Sequence, residues 1–225
     1  MIDMKKIGKV SALISFLVMS FTGLRAQQPP FYNDIQAFKQ RDSTQPPAKH
    51  AILFVGSSSF TKWTDVQTYF PGYPILNRGF GGSSLPDVIH YAGDIIFPYQ
   101  PKQIVIYCGE NDLAASDTVT AAMVVARFTT LFGMIRTNLG EVPVLFVSLK
   151  PSPSRSRLFP KMKEANAKIK SFLLKNKKTA FADVYAKMLD ANGEPMQDIF
   201  LDDKLHMNAK GYAIWKEVIG PYLIK

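Results

Sequence analysis

Ala51-Ile52-Leu53-Phe54-Val55-Gly56-Ser57-Ser58-Ser59 is the stretch on which the fold turns. Five apolar residues run without alternation and stop at a glycine and three serines. A short apolar run bounded by turn residues fits a strand buried on both faces, as in a parallel sheet. Runs at 74–77, 103–108 and 142–148 share the pattern, with a weaker one at 180–184. Helical periodicity lies between and after them, at 63–70, 85–99, 118–139, 158–176 and 208–222. In the segment 118–139, Ala121, Val125, Phe128, Leu131 and Ile135 share a face. Met162, Ala165, Ile169, Phe172 and Leu173 do so in the next, and Tyr212, Ile214, Trp215, Val218 and Ile219 in the last. Strands alternating with helices predict a doubly wound parallel sheet of about five strands with helices on both faces. Such sheets bind ligands beyond the carboxyl ends of their strands. The loops that follow each strand are therefore where chemistry is expected.

The rest of the chain bounds the problem. Its 225 residues, 47% hydrophobic and 20% charged, suffice for a full core without staples. The composition excludes collagen, low-complexity disorder and coiled coil. A single cysteine, Cys108, excludes an intramolecular disulfide framework and a Cys-cluster metal site. Inside its apolar run it reads as a small core residue. Residues 1–9 carry Lys5, Lys6 and Lys9, residues 10–24 are uncharged and mostly apolar, and a small residue follows at Ala26. This is the pattern of a secretory signal peptide over 1–26. The 15-residue apolar run is short of the roughly 20 residues a spanning helix needs. Cleavage after Ala26 predicts an exported protein, periplasmic or extracellular, with no stable membrane insertion. The remaining chain has 23 basic and 17 acidic residues, a balance of +6. Much of the excess, Lys161, Lys163, Lys168, Lys170, Lys175, Lys177 and Lys178, reads as a solvated helix face. No aromatic-interleaved basic strand argues for nucleic acid as a partner. Residues 27–48 read as a lead-in segment with one short amphipathic stretch, and 49–225 as the domain.

Four loops draw attention. Gly56-Ser57-Ser58-Ser59 ends the first strand. A serine two residues past the glycine can open the next helix with a free backbone N–H, though a plain turn and N-cap is the simpler reading of this feature alone. Gly79-Phe80-Gly81-Gly82-Ser83-Ser84 can bring backbone N–H groups close to a ligand. A dinucleotide fingerprint would need Gly or Ala at Ser84 and a place after the first strand. Gly109-Glu110-Asn111-Asp112 sets an amide donor at the mouth of the third strand, or an Asx-turn. Asp202-Asp203-Lys204-Leu205-His206 precedes the last helix, with Asp203 and His206 three apart. In a turn that spacing lets a carboxylate reach the imidazole Nδ1–H, and a capping histidine in a surface turn is the plainer reading. Of the three histidines, His50 enters the first strand and His90 lies in a helical pattern. His206 is the credible base for a serine nucleophile.

Taken in order, these blocks resemble the SGNH (GDSL-type) hydrolase superfamily, and the resemblance spans about 51–222. Its usual Gly-Asp-Ser is Gly56-Ser57-Ser58 here, with Ser57 in the Asp position. The resemblance implies a flavodoxin-like three-layer α/β/α fold and hydrolysis of carboxylic esters without metal or organic cofactor. It implies Ser58 as nucleophile, with His206 and Asp203 completing a triad. An oxyanion hole would be formed by Ser58 N–H, Gly82 N–H and the Asn111 side chain. The expected substrates are short acyl, above all acetyl, esters on a small molecule or a glycan. Acyl transfer would use the same residues. A catalytically silent carbohydrate-binding domain on this scaffold is the competing expectation, motivated by Ser57. The loop Lys150-Pro151-Ser152-Pro153-Ser154-Arg155 follows the fourth strand on the same side and could rim the substrate pocket. Arg155 reads there as a solvated charge or a contact to substrate. Trp63 and Phe80 read as core, with the lining of an acyl pocket as the alternative, and Trp215 reads as core.

Overall fold

The run that opens at Ala51 forms strand β1 (Ile52–Gly56), every residue of it buried. The structure is a computed structural model that describes residues 28–225. The expected signal peptide and its cleavage site lie outside the described residues. After β1 come β2 (Ile75–Gly79), β3 (Gln103–Tyr107), β4 (Val144–Val147) and β5 (Thr179–Ala182). They pair in parallel in the order β2-β1-β3-β4-β5. The chain moves outward from β1 to β2, then crosses back to β3. The switch point therefore lies at β1 and β3, where the crevice of a doubly wound sheet opens.

The helices are α1 (Tyr32–Thr44), α2 (Ser58–Thr61), α3 (Val66–Tyr69), α4 (Leu85–His90) and α5 (Ala92–Ile95). They continue with α6 (Glu110–Ala115), α7 (Ala121–Leu139), α8 (Phe159–Leu173), α9 (Val184–Lys187) and α10 (Ala209–Ile219). Alternate strand residues serve two cores, because side chains alternate across a sheet. Leu53, Val55, Ile104, Ile106, Val144 and Phe146 pack under α4, α5, α7 and α8. Ile52, Phe54, Val105, Tyr107, Leu145 and Val147 pack under α2, α3 and α10. The result is the three-layer α/β/α architecture.

Several elements depart from sequence periodicity for identifiable reasons. Of the expected helix 63–70 only α3 forms, and Trp63 lies in the turn between α2 and α3. The Trp63 indole is fully buried, stacked on Tyr212 at 4.8 Å and edge-on to Phe70 at 5.6 Å. Burying that large ring outweighs continuing a helix. The expected helix 85–99 breaks into α4, α5 and a 3₁₀ turn at Phe97–Tyr99. Pro98 stands inside it and supplies no backbone donor. On α7 the buried face is Ala121, Val124, Phe128, Leu131, Phe132 and Ile135. Val125, expected on that face, is only half-buried. Phe172, Ile214 and Val218 are likewise half-buried at the margins of their helices. Cys108, Phe80 and Trp215 are core residues, as their sequence contexts suggest.

Helix α1 is packed onto the first of the two cores. Ile35 is buried, and Phe31 and Phe38 pack beside it. Its Asp42 pairs with Arg78, whose guanidinium also donates to Tyr99 Oη at 2.9 Å and lies 5.0 Å from the Phe38 ring. Phe31 meets Phe80 edge-on at 5.2 Å. The segment before the first strand thereby supports the loop after β2.

Candidate functional site

Register sets the site. Gly56 pairs with Gly79 on one side and Tyr107 on the other. The loops after β2, β1 and β3 therefore open side by side at one edge. Gly56 has φ +145°, and a Cβ there would lie 1.9 Å from the Tyr107 carbonyl oxygen. Only glycine permits that approach. The sharp exit from β1 places Ser58 at the first position of α2, after an extended Ser57.

Of the three serines, Ser57 and Ser59 are buried, and Ser58 is partly exposed. Ser58 Oγ lies 2.9 Å from His206 Nε2. His206 Nδ1 lies 2.6 Å from Asp203 Oδ2. Asp203 Oδ1 also accepts the backbone N–H groups of Leu205 and His206 at 3.0 and 2.9 Å. Desolvation works to raise the Asp203 carboxyl. The His206 ring and the two backbone donors outweigh it and hold the group well below the usual carboxylate range. An ionised Asp203 only accepts hydrogen bonds, so His206 Nδ1 carries the hydrogen. In the neutral ring Nε2 is then the acceptor, and it faces the Ser58 hydroxyl.

The loop that carries Asp203 and His206 is pinched at its base by a bridge between Phe200 and Met207. The Leu201 N–H reaches the His206 carbonyl at 2.8 Å across it. Asn208 closes the loop by capping α10, accepting from the N–H groups of Lys210 and Gly211. Asp202, the alternative carboxylate, is exposed. From the far side Ser154 binds the Lys204 carbonyl.

Asn111 stands in the first turn of α6. Its Nδ2 donates to the Ser83 carbonyl at 3.0 Å, next to Gly82 in the chain. Gly82 itself has φ +88°, a left-handed conformation that suits glycine. Neither the Ser58 nor the Gly82 backbone N–H has an acceptor among the described residues. Asp112, buried, accepts the Leu85 N–H at 2.9 Å and so ties the loop after β3 to the loop after β2. Ser58, His206 and Asp203 are therefore in mutual contact, Asn111 meets the Gly82 loop at the Ser83 carbonyl, and the loops after β1, β2 and β3 leave the same end of the sheet.

Charged groups behind Asn111 escaped sequence analysis. Glu110 is buried and accepts from Lys150 Nζ at 2.9 Å, from Ser152 Oγ at 3.1 Å and from the Tyr107 hydroxyl. Burial alone would raise the Glu110 carboxyl, and the Lys150 ammonium and Tyr107 hydroxyl reverse this to a net lowering. Burial lowers Lys150, and Glu110 opposes that shift. Arg155, expected to face solvent or substrate, turns inward instead. Its Nη1 donates to the Glu110 carbonyl at 3.2 Å and its Nη2 to Asn111 Oδ1 at 3.1 Å. The available signal was a glutamate directly after an apolar strand and a lysine directly after another. Two opposite charges at adjacent strand ends favour pairing when both are buried.

Residues 49–214 match the GDSL-like Lipase/Acylhydrolase family. No curated protein sequence matches the chain. Solved structures share the fold at low identity. A GDSL-like lipase from Bacteroides thetaiotaomicron superposes with a TM-score of 0.71 at 18% identity, covering 83% of this chain and 95% of that one. A catalytic mutant of an acetylxylan esterase from Geobacillus stearothermophilus does so with a TM-score of 0.62 at 13% identity, covering 78% and 94%. The match spans most of the chain, and the five-stranded parallel sheet agrees with it. The chain therefore belongs to the GDSL-like lipase/acylhydrolase family and is a hydrolase of ester bonds.

Proposed function

We propose that this protein cleaves short acyl esters, acetyl esters first, through Ser58, His206 and Asp203, with a glycan or small-molecule alcohol as leaving group. The observation that carries the reading is the continuous relay from Ser58 Oγ to His206 at 2.9 Å and on to Asp203 at 2.6 Å. Supporting it, Asn111 meets the Gly82 loop at the Ser83 carbonyl, and that loop and Ser58 follow adjacent strands.

Ser58 Oγ attacks the acyl carbon while His206 Nε2 takes the hydroxyl proton. The carbonyl electron pair moves onto oxygen. That oxyanion accepts hydrogen bonds from Ser58 N–H, Gly82 N–H and the second Nδ2 hydrogen of Asn111. Asp203 keeps the ring oriented and stabilises the imidazolium. Collapse of the tetrahedral intermediate breaks the ester C–O bond, and His206 protonates the departing alcohol. Water then attacks the acyl-Ser58 ester by the same relay, releasing the acid and restoring the serine. Every group needed is a side chain or backbone N–H of this chain.

The preference for acetyl groups is supported by likeness of fold to the acetylxylan esterase. Export is supported by the basic, apolar and small-residue pattern of residues 1–26. Among the described residues no helix is long and apolar enough to cross a membrane. The mature chain would start at Gln27, shortly before α1.

The test is hydrolysis of p-nitrophenyl esters from acetate to octanoate by residues 27–225, with Ser58→Ala alongside. Acetate should be the best substrate and the variant inert. Preference for octanoate would overturn the acyl assignment. A Ser58→Ala protein as active as wild type would overturn the site. Screening acetylated xylo-oligosaccharides then tests the alcohol. N-terminal sequencing of the exported product tests the cleavage point.

A further inference from the structure

We propose that Arg155 is the positioning residue of the oxyanion side, deciding which end of the Asn111 amide faces the reacting oxygen. This rests on the proposed role of Asn111 as an oxyanion donor. An asparagine amide has two nearly isosteric ends, and only the nitrogen can donate. Turned over, it would present Oδ1 to a developing negative charge and oppose the reaction.

Two neighbours set the orientation. The Ser83 carbonyl can only accept, so it selects Nδ2, at 3.0 Å. The Arg155 guanidinium can only donate, so it selects Oδ1, at 3.1 Å. A flipped amide would set donor against donor at Arg155 and acceptor against acceptor at Ser83. With both bonds made, one Nδ2 hydrogen is committed to Ser83 and the other is left for the oxyanion.

Arg155 is itself held. Its Nη1 bonds the Glu110 carbonyl at 3.2 Å, and its Nε lies 3.9 Å from Glu110 Oε1. Its side chain is only 18% exposed. Glu110 is pinned in turn by Lys150 and Ser152. The neighbouring Ser154 binds the Lys204 carbonyl with both its N–H and its hydroxyl, each at 3.0 Å. One loop after β4 therefore braces Asn111 with Arg155 and the His206 loop with Ser154. Two of the guanidinium's donors are engaged by the Glu110 carbonyl and Asn111 Oδ1, which makes Arg155 a brace for the amide.

The experiment measures kcat and KM for p-nitrophenyl acetate in wild type, Arg155→Ala, Asn111→Ala and the double variant. Arg155→Ala should lower kcat about tenfold to a hundredfold, less than the 10²–10³ that losing an oxyanion donor costs in other hydrolases. KM should stay within about twofold, and the double variant should be no slower than Asn111→Ala alone. Guanidinium ion added to Arg155→Ala should restore part of kcat, and should do nothing for the double variant. A purely structural role for Arg155 would show neither pattern. The proposal is overturned if Arg155→Ala keeps wild-type kcat, or if its loss multiplies with that of Asn111→Ala. Should Arg155→Ala fail to fold, Arg155→Lys keeps the charge beside Glu110 but cannot bond the carbonyl and the amide together. Its kcat should fall, and fall no further in the Asn111→Ala background; full kcat or a multiplying loss overturns the proposal. Failure of the underlying reading looks different: Asn111→Ala would itself be fully active.

Discussion

The Asp112 carboxylate accepts the backbone N–H of Leu85 at 2.9 Å, across 27 residues of chain. Its other oxygen pairs with Arg127 at 2.7 Å. The carboxylate is fully buried and Arg127 is partly exposed. This bond joins the loop that carries Asn111 to the end of the loop that carries Gly82. Two groups proposed to share one oxyanion are thus tied together through Asp112, the residue that follows Asn111 in the chain.

Replacing Asp112 with alanine leaves the Leu85 N–H buried without a partner. Such a group costs about 1–3 kcal/mol. Arg127, reaching solvent, adds little. The urea midpoint of Asp112→Ala should fall accordingly, with an unchanged m-value, and kcat for p-nitrophenyl acetate should fall with it. An unchanged midpoint would show that the Leu85 N–H finds another acceptor.

Lys150 and Glu110 make a different case. Each is almost fully buried, and they lie 2.9 Å apart. Breaking a buried pair by removing one charge typically costs about 3–5 kcal/mol, because the other is left uncompensated. Lys150→Met should therefore be strongly destabilised. Changing both partners, as Lys150→Met with Glu110→Gln, should recover much of the loss. Chemical denaturation of the single and double variants reads this directly. Equal destabilisation in both would show that Glu110 is compensated well enough by Tyr107, Ser152 and Arg155.

Asp203 carries the pH prediction. Its folded-state pKa is lowered. A lowered carboxylate contributes stability above its unfolded value, about 3.9, and loses it as pH falls through the folded value. Asp203→Asn should thus differ from wild type in melting temperature by a constant amount between about pH 5 and 7. The difference should shrink only below about pH 4. Its turnover should drop on the order of 10⁴, as in other Ser-His-Asp enzymes, because the amide favours the wrong imidazole tautomer. A melting difference that does not shrink below about pH 4 would contradict the lowered pKa.

How much of this was legible in the residues themselves depends on range. The strands were, because a run such as 51–55 is apolar without alternation and only a doubly covered sheet buries it. Gly56 and a serine turn were, because a strand end followed by a tight turn is local chemistry, whereas the choice of Ser58 among three serines rested on the resemblance of ordered motifs. Asp203 and His206 were, because a carboxylate and an imidazole three residues apart need only one turn to meet. Helix 63–70 was misread because Trp63 answers to Tyr212 and Trp215, partners that a local window does not contain.

The sequence by itself determined the parallel sheet and the long helices, which follow from local periodicity, and the resemblance of ordered motifs put forward Ser58, Gly82, Asn111, Asp203 and His206 as the candidate site. Tertiary structure alone decided which way the Asn111 amide points. Its orientation depends on a carbonyl at Ser83 and a guanidinium at Arg155, which follow β2 and β4 and are brought to Asn111 by the strand order β2-β1-β3-β4. It also decided that Arg155 faces inward and that Glu110 is matched by Lys150, 40 residues away. Hydrogen bonds and buried charges are settled by geometry at about 3 Å, and that geometry exists only once strands distant in sequence lie side by side.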